Sequence, residues 1–334
     1  MPNKALDMNT IDSNSRRNFL RQAGQLSLTG MAAPWLANLA AIGEAAAFSA
    51  SDYKAIVCVF LLGGNDYANT VVTYDNDSYA KYFAIRAAGS GSNTSGVVLS
   101  QSALAATELK PAQALAGGRK YALHPSMPGL TQLFNSGKAA VQLNVGPLVV
   151  PLTRAQYNSP DRQKYPLPPK LFSHNDQQSV WQSSAAEGST VGWGGRFGDM
   201  AMGNNANSLF TCISLSGNNV CLSGNSALQY QCSTKGAIPV NPASSYFFNQ
   251  PELKTAFMQM LQKSSPHMLE NEYNTVMKRG INAQSVVSQG MAGVSLSTPF
   301  PSGNNLADQL KTVAQLIGAR SSLGAKRQVF MVTL

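Results

Sequence analysis

The sequence predicts an α/β protein with a mostly parallel central sheet, and three apolar runs indicate this class. The first, Ala55–Leu62, stops at Gly63 and Gly64, the second, Ala139–Val145, follows a short helix, and the third, Arg327–Leu334, follows a longer helix. Short continuous apolar runs rich in β-branched residues are typical of strands buried on both faces of a sheet. Their alternation with helices favours parallel pairing through crossover connections.

The composition is that of a globular protein and does not support a nucleic-acid-binding footprint. The 334 residues are 44% hydrophobic, which is enough for one large core or two smaller ones. A net charge of +9 favours anionic partners. The basic residues are scattered, however, without a run of five or six, so no nucleic-acid partner is predicted.

Residues 1–47 have the pattern of an export signal. SRRNFLR, with Arg16 and Arg17, precedes a mildly apolar stretch that ends near three alanines, a small-residue cleavage site. This pattern resembles a twin-arginine signal, so we expect the twin-arginine translocation machinery as a partner and a periplasmic or extracellular location. The weak hydrophobicity argues against a stable membrane span; the alternative is a basic amphipathic helix. The remainder, 48–334, is expected to be the folded α/β domain.

The first polar group that could bind a ligand follows the first predicted strand. Gly63 and Gly64 permit a tight turn, which places Asn65 and Asp66 at the carboxyl end of the strand. Open α/β sheets usually bind their ligands at this edge. The alternative is an ordinary turn with a solvated Asp66.

A second polar group lies in the segment Leu171–Gln182. His174 and Asp176 precede an apparent helix that Ser173 or Asn175 could cap. A His-x-Asp pair before a helix can bind a metal or an anion, although it is also ordinary capping chemistry.

The next segment, Gly192–Met200, joins a glycine-rich turn to another helix. Arg196 in this helix could bind an anionic group, or it could pair with Asp199 three residues on.

The other elements are predicted from the spacing of their apolar residues. Tyr79, Tyr82 and Phe83 form a helical stripe that belongs in a core. Residues 208–240 have short alternating runs, which predict a small insertion of antiparallel hairpins. Further helices are predicted at Pro251–Lys263, Met268–Gln289 and Asn305–Gly318, the last capped by Asn304 or Asn305.

Two further predictions concern pairing. Within the cysteine-containing insertion, Cys221 and Cys232 are the preferred disulfide pair in an oxidising compartment, while Cys58 is expected to stay free and buried. The final strand, Gln328–Leu334, is expected in the same sheet, beside or near Ala55–Leu62, with the helix Asn305–Gly318 as the crossover.

Six blocks of the chain together resemble a bacterial family called domain of unknown function 1501, whose members are exported by the twin-arginine route. The likeness follows the chain in order through SRRNFLR at 15–21, FLLGGNDYANTVV at 60–72, LHPSMPGLTQLF at 123–134, NVGPL at 144–148, LFSHNDQQSVWQ at 171–182 and GWGGRFGDM at 192–200.

The resemblance implies a sandwich fold similar to the alkaline phosphatase and sulfatase superfamily. It implies that Asp66 holds a divalent metal such as zinc, manganese or calcium, with His174 and Asp176 as looser matches. Asn65 and Arg196 would then contact the substrate. The implied activity of the complete form is metal-dependent hydrolysis of phosphate or sulfate esters.

The chain departs from this family pattern at its C-terminal end. Members of the family continue with a Gly-Gly-Phe-Asp-Thr-His-like turn and an Asp-His-Gly-rich block, and neither occurs here. We therefore expect a C-terminally truncated copy with an incomplete metal site. The alternatives to a hydrolase are a non-catalytic cell-envelope protein that binds a polysaccharide or another anionic ligand, and an inactive product.

Overall fold

The structure, a computed structural model, describes residues 51–87, 96–185, 188–240, 243 and 250–334. The predicted export signal, including Arg16 and Arg17, lies outside these residues. The chain divides into two units. The smaller unit is Leu61–Leu167, and the larger one combines Pro168–Leu334 with the strand that ends at Phe60.

The described chain contains both strands and helices. The strands are β1 (Lys54–Phe60), β2 (Val71–Thr73), β3 (Tyr121–Leu123), β4 (Cys212–Ser214), β5 (Gln229–Ser233), β6 (Gly236–Ala237) and β7 (Arg327–Thr333). The helices are α1 (Tyr67–Thr70), α2 (Asn76–Arg86), α3 (Gln101–Leu104), α4 (Pro128–Asn135), α5 (Arg154–Asn158), α6 (His174–Ser183), α7 (Trp193–Ala201), α8 (Pro251–Gln262), α9 (Met268–Ala292) and α10 (Asn305–Gly318). The predicted mixed α/β class is confirmed.

The larger unit is built on a mostly parallel sheet with the strand order β1-β7-β4-β5-β6. The pairs β1–β7, β7–β4 and β4–β5 are parallel, and β5–β6 is antiparallel. In the β1–β7 pair, Lys54 lies opposite Arg327 and Phe60 opposite Thr333. The predicted neighbourhood of the first and last strands is therefore confirmed, and α10 leads into β7 as expected.

The burial predicted for the first strand is wrong. β1 lies at the edge of the described sheet and pairs with β7 alone. Its side chains Ile56, Val57 and Val59 are 39%, 37% and 44% exposed. β7 has the burial that was predicted for β1. It lies between the strands β1 and β4, and side chains pack on both of its faces.

The second predicted strand does not form. Ala139–Val145 has no strand partner in the part of the chain that the structure describes. Its apolar members Val141, Leu143 and Val145 are 37%, 41% and 42% exposed. An apolar run forms a buried strand only when another strand supplies hydrogen-bond partners. Among the described residues, no strand supplies partners to Ala139–Val145.

The insertion predicted at residues 208–240 is also different in the structure. β4 and β5 belong to the parallel part of the main sheet, and only the turn from β5 to β6 is antiparallel. β4 is buried along its whole length between β7 and β5. The prediction of separate antiparallel hairpins is therefore wrong for these two strands.

The two faces of the main sheet carry separate cores, since successive side chains of a strand point to opposite faces. One core contains Phe330 and Val332 with residues of α9 and α10. The other contains Val329 and Met331 with Cys221. Cys232 belongs to the first core, so the predicted Cys221–Cys232 disulfide is wrong, and all four cysteines are free thiols.

The predicted helices of the larger unit are present. α10 begins after Asn304, whose side-chain oxygen accepts a hydrogen bond from the Ala307 N–H at 2.9 Å. This cap satisfies one of the unpaired N–H groups in the first helical turn. The predicted bounds of α8 and α9 differ from the observed ones by one and three residues at their C-terminal ends.

The smaller unit contains the antiparallel pair β2–β3 and the helix α2. Tyr79 and Tyr82 pack with ring centroids 5.7 Å apart, and Tyr82 is buried. The Tyr82 hydroxyl donates to Asn69 Oδ1 at 2.7 Å and accepts from the Leu99 N–H at 2.9 Å. Tyr79 and Tyr82 are therefore part of a core, as predicted, whereas Phe83, the third member of the stripe, is 48% exposed.

Candidate functional site

Asn65 and Asp66 support the start of α1 in the smaller unit. The Asp66 carboxylate accepts from the Ala68 N–H at 3.2 Å and forms an ion pair with Arg86. Asn65 Oδ1 accepts a hydrogen bond from the Thr70 hydroxyl at 3.0 Å. Both side chains therefore brace this turn, and the metal-binding role of Asp66 and the substrate role of Asn65 stay predictions.

His174 and Asp176 lie in the first turn of α6, in the larger unit. Ser173 is the N-cap, and its hydroxyl donates to Asp176 Oδ2 at 2.6 Å. Lys170 Nζ lies 3.3 Å from Asp176 Oδ1. The Asp176 side chain is 4% exposed, and His174 is exposed to solvent. The turn thus presents an imidazole at the surface beside a buried, paired carboxylate.

The backbone of the same turn is strained. Lys170 and Phe172 adopt left-handed φ values of 51° and 71°, although neither is glycine. The Phe172 side chain is 84% exposed, so burial of its ring does not stabilise this conformation. Strained residues of this kind are often found at functional sites.

Of the three predicted metal ligands, the two carboxylates are both paired with cationic side chains. Asp66 is paired with the Arg86 guanidinium and Asp176 with the Lys170 ammonium, so each carboxylate already has a cationic counter-charge. Within the described ranges, no group of three or more His, Cys, Asp or Glu side chains is placed to hold a metal ion. The donor set of these residues therefore does not fit a divalent metal by itself.

Arg196 is exposed on α7, and its side chain has no ion pair within the described chain. The alternative partner, Asp199, instead accepts three backbone N–H groups: those of Asn225 at 2.8 Å, Ser226 at 2.8 Å and Ala227 at 2.7 Å. Asp199 thus fixes the loop that precedes β5.

This loop forms one wall of an open cavity of about 670 Å³ in the larger unit. The polar side chains that line the cavity carry amide, hydroxyl and guanidinium groups, and they are Asn207, Ser208, Ser226, Thr275, Arg279 and Asn282. Apolar side chains, among them Leu228 and Val286, complete the lining. We call this cavity the α9 groove, because α9 forms its longest wall.

Arg279 supplies the positive charge of the α9 groove. Its side chain forms no ion pair or hydrogen bond within the described part of the chain. A guanidinium carries five N–H donors in a planar fork, which suits carboxylate, sulfate and phosphate groups. The amide and hydroxyl groups around Arg279 can pair with the hydroxyl groups of a ligand.

The α9 groove was not predicted from the sequence, although one signal for it was present. Thr275, Arg279 and Asn282 recur at intervals of four and three residues in a predicted helix, so they share one face. A polar face of this kind usually faces solvent. The opposite wall, formed by Ser208 and Ser226, comes from distant parts of the chain and has no sequence signature.

Comparison with protein families, curated proteins and solved structures finds no match for this chain. No helix among the described residues is both long enough and apolar enough to cross a membrane.

Proposed function

We propose that this chain is an exported binding protein for an anionic, hydroxyl-bearing ligand, such as a sulfated or phosphorylated saccharide, and that the α9 groove is its binding site. The observation that carries the proposal is Arg279, an arginine without a counter-ion among the residues that the structure describes, in a cavity whose polar lining consists of amide and hydroxyl groups. The volume of about 670 Å³ lies within the range of about 300–1,000 Å³ that is typical of ligand pockets.

The electrostatics of the chain support the same ligand class. A net charge of +9 attracts anions over a distance and raises their rate of encounter. In the groove, Arg279 would bind the anionic group, while Asn282 and Thr275 would contact neighbouring hydroxyls. The loop with Ser226 is held by Asp199, so this wall is already in place before a ligand arrives.

Replacing Arg279 by alanine is expected to weaken binding of a sulfated disaccharide by about tenfold or more. A hydrogen bond to a charged group contributes about 1.5–3 kcal/mol, and about 1.4 kcal/mol corresponds to a factor of ten in affinity. Isothermal titration calorimetry of the full chain measures the change. Inorganic sulfate and an uncharged disaccharide serve as additional probes.

The matched control is Lys278→Ala on the same helix. Lys278 is exposed, does not line the groove, and its removal changes the net charge by the same amount. The control should keep affinity within about twofold of the original chain, because exposed charges contribute little at a distance. An equal loss in the two variants would show non-specific attraction and would contradict the proposal.

Hydrolysis of a phosphate or sulfate ester, aided by zinc, manganese or calcium, is a second candidate function. The strained turn at Lys170 and Phe172, next to the exposed His174, is the observation that favours it. Under this candidate His174 would bind the ester or transfer a proton to it. The donor set of the described residues does not fit a metal by itself.

The second candidate predicts turnover of a nitrophenyl phosphate or sulfate in the presence of one of these metals. His174→Ala should lower that turnover by about 10²-fold or more, which is the usual contribution of a proton-transfer group. Asn175→Ala, the adjacent exposed residue, is the control and should retain activity. Absence of turnover with every metal would remove this candidate and leave the binding proposal in place.

A further inference from the structure

Three cysteines from distant parts of the chain meet on one face of the main sheet. Cys212 of β4 and Cys221 of the 3-10 turn Val220–Leu222 are fully buried, and the half-buried Cys58 of β1 packs against the same cluster. Cys58 lies opposite Met331 in the parallel register, so both side chains point to this face. All these residues belong to the larger unit.

Cys58 packs against the cluster that contains Cys221, and each of these two thiols shifts the pKa of the other. α7 packs closely against Cys221. A Cβ atom added at Gly194 of this helix would lie 3.3 Å from the Cys221 sulfur. Cys212 is held differently: its thiol donates to the Gly194 carbonyl at 4.0 Å. Cys58 and Cys212 lie on strands that β7 separates, so Cys221 is the member of the cluster that is placed to pair with Cys58.

We infer that Cys58 and Cys221 form a redox pair, which an external disulfide oxidises to a disulfide that ties the edge strand β1 to the 3-10 turn. The external reagent is a small-molecule disulfide, such as glutathione disulfide, or the disulfide of an oxidoreductase. This inference does not depend on the function proposed for the α9 groove.

The reaction proceeds by two thiol–disulfide exchanges. The Cys58 thiolate attacks one sulfur of the external disulfide, forms a mixed disulfide and releases the first thiol. Cys221 then loses its proton to the medium and attacks the Cys58 sulfur, which releases the second thiol. The two cysteines lose two electrons and two protons in total, and the external disulfide is reduced to two thiols.

The exposure of the two thiols favours Cys58 as the attacking group, because Cys58 is half-buried whereas Cys221 is fully buried. The hydrogen bond from Cys221 lowers the pKa of Cys58, although burial acts in the opposite direction. The hydrogen bond to Cys58 and burial raise the pKa of Cys221. Burial also raises the pKa of both Cys212 and Cys232 to about 12, so these thiols stay protonated and inert near neutral pH.

The experiment compares the full chain after incubation with glutathione disulfide and after incubation with a reductant. Remaining thiols are alkylated under denaturing conditions, and the digested peptides are analysed by mass spectrometry. The expected result is a Cys58–Cys221 linked peptide in the oxidised sample alone, with Cys212 and Cys232 alkylated in both samples. The oxidised chain should also have a higher melting temperature, because the bond closes a long loop.

Variants identify the pair independently of stability. Cys232→Ala should keep the linked peptide, whereas Cys58→Ser and Cys221→Ser should abolish it. Four alkylated cysteines in the oxidised original chain would overturn the inference. A Cys212–Cys221 link in place of the Cys58 link would overturn it as well.

Discussion

Replacing Phe330 by alanine is expected to destabilise the larger unit by about 4 kcal/mol. Phe330 lies in the middle of β7 and is 0% exposed. It packs in the core that contains Ile213, Val313 and Leu316. Removal of a fully buried phenylalanine costs about 3–5 kcal/mol, because the transfer free energy is lost and a cavity remains. Urea unfolding followed by tryptophan fluorescence measures the loss, since Trp181 and Trp193 lie in this unit.

The matched control is Val57→Ala, at the position opposite Phe330 in the register of β1 and β7. Val57 is 37% exposed at the sheet edge, so its truncation should cost at most about 1 kcal/mol. Equal costs at the two positions would show that β1 is as buried as β7 and would contradict the strand order.

Replacing Gly195 by alanine is expected to destabilise the same unit by about 3 kcal/mol. A Cβ atom at this position would lie 2.1 Å from the Ser223 carbonyl carbon and oxygen, which are backbone atoms that cannot rotate away. α7 and the segment after the 3-10 turn would have to separate. Overpacking of this kind costs about 1–3 kcal/mol, and a backbone obstacle belongs at the upper end of that range.

Gly203→Ala is the control for this prediction. Apart from the adjacent backbone, no atom of the described residues lies within 4 Å of a Cβ built at Gly203. The φ of Gly203 is not left-handed. The change should leave the unfolding free energy within about 1 kcal/mol of the original or raise it, because alanine reduces the entropy of the unfolded chain. An unaffected Gly195→Ala variant would show that α7 does not pack directly on the 3-10 turn.

The sequence was sufficient to predict elements whose signal is local. The amphipathic face of α10, a cap at Asn304 or Asn305 and a last strand beside or near the first were predicted, and the structure has the cap at Asn304 and the two strands paired. Each depends on a side-chain pattern within one helix, or on the rule that a helix connects neighbouring parallel strands. Such signals do not require knowledge of which other segments are present.

The errors concern properties that depend on neighbours distant in the chain. The run Ala55–Leu62 has the composition of a central strand, yet its place at the edge follows from the strand order of the whole sheet. Ala139–Val145 has a similar composition and no strand partner within the described chain. Cys221 and Cys232 are close in sequence but lie on opposite faces of the sheet, which spacing does not reveal.

At the candidate site, too, local features were predicted from the sequence and contacts between distant segments were not. The exposed imidazole of His174, the cap at Ser173 and the exposed guanidinium of Arg196 are in segments that the sequence identified. The paired state of Asp66 and Asp176 was not predicted, because Arg86 and Lys170 give no local signal of these ion pairs. The α9 groove was missed because its walls come from separate parts of the chain.

The most direct test of the binding proposal is hydrogen–deuterium exchange of the full chain with and without a saturating sulfated disaccharide. The proposal predicts slower exchange in peptides that cover the groove walls, Asn207–Leu209, Ser226–Leu228 and Thr275–Val286, and unchanged exchange elsewhere. Protection confined to the turn Lys170–Asp176, or binding without protection of the groove walls, would contradict the assignment of the α9 groove as the ligand site.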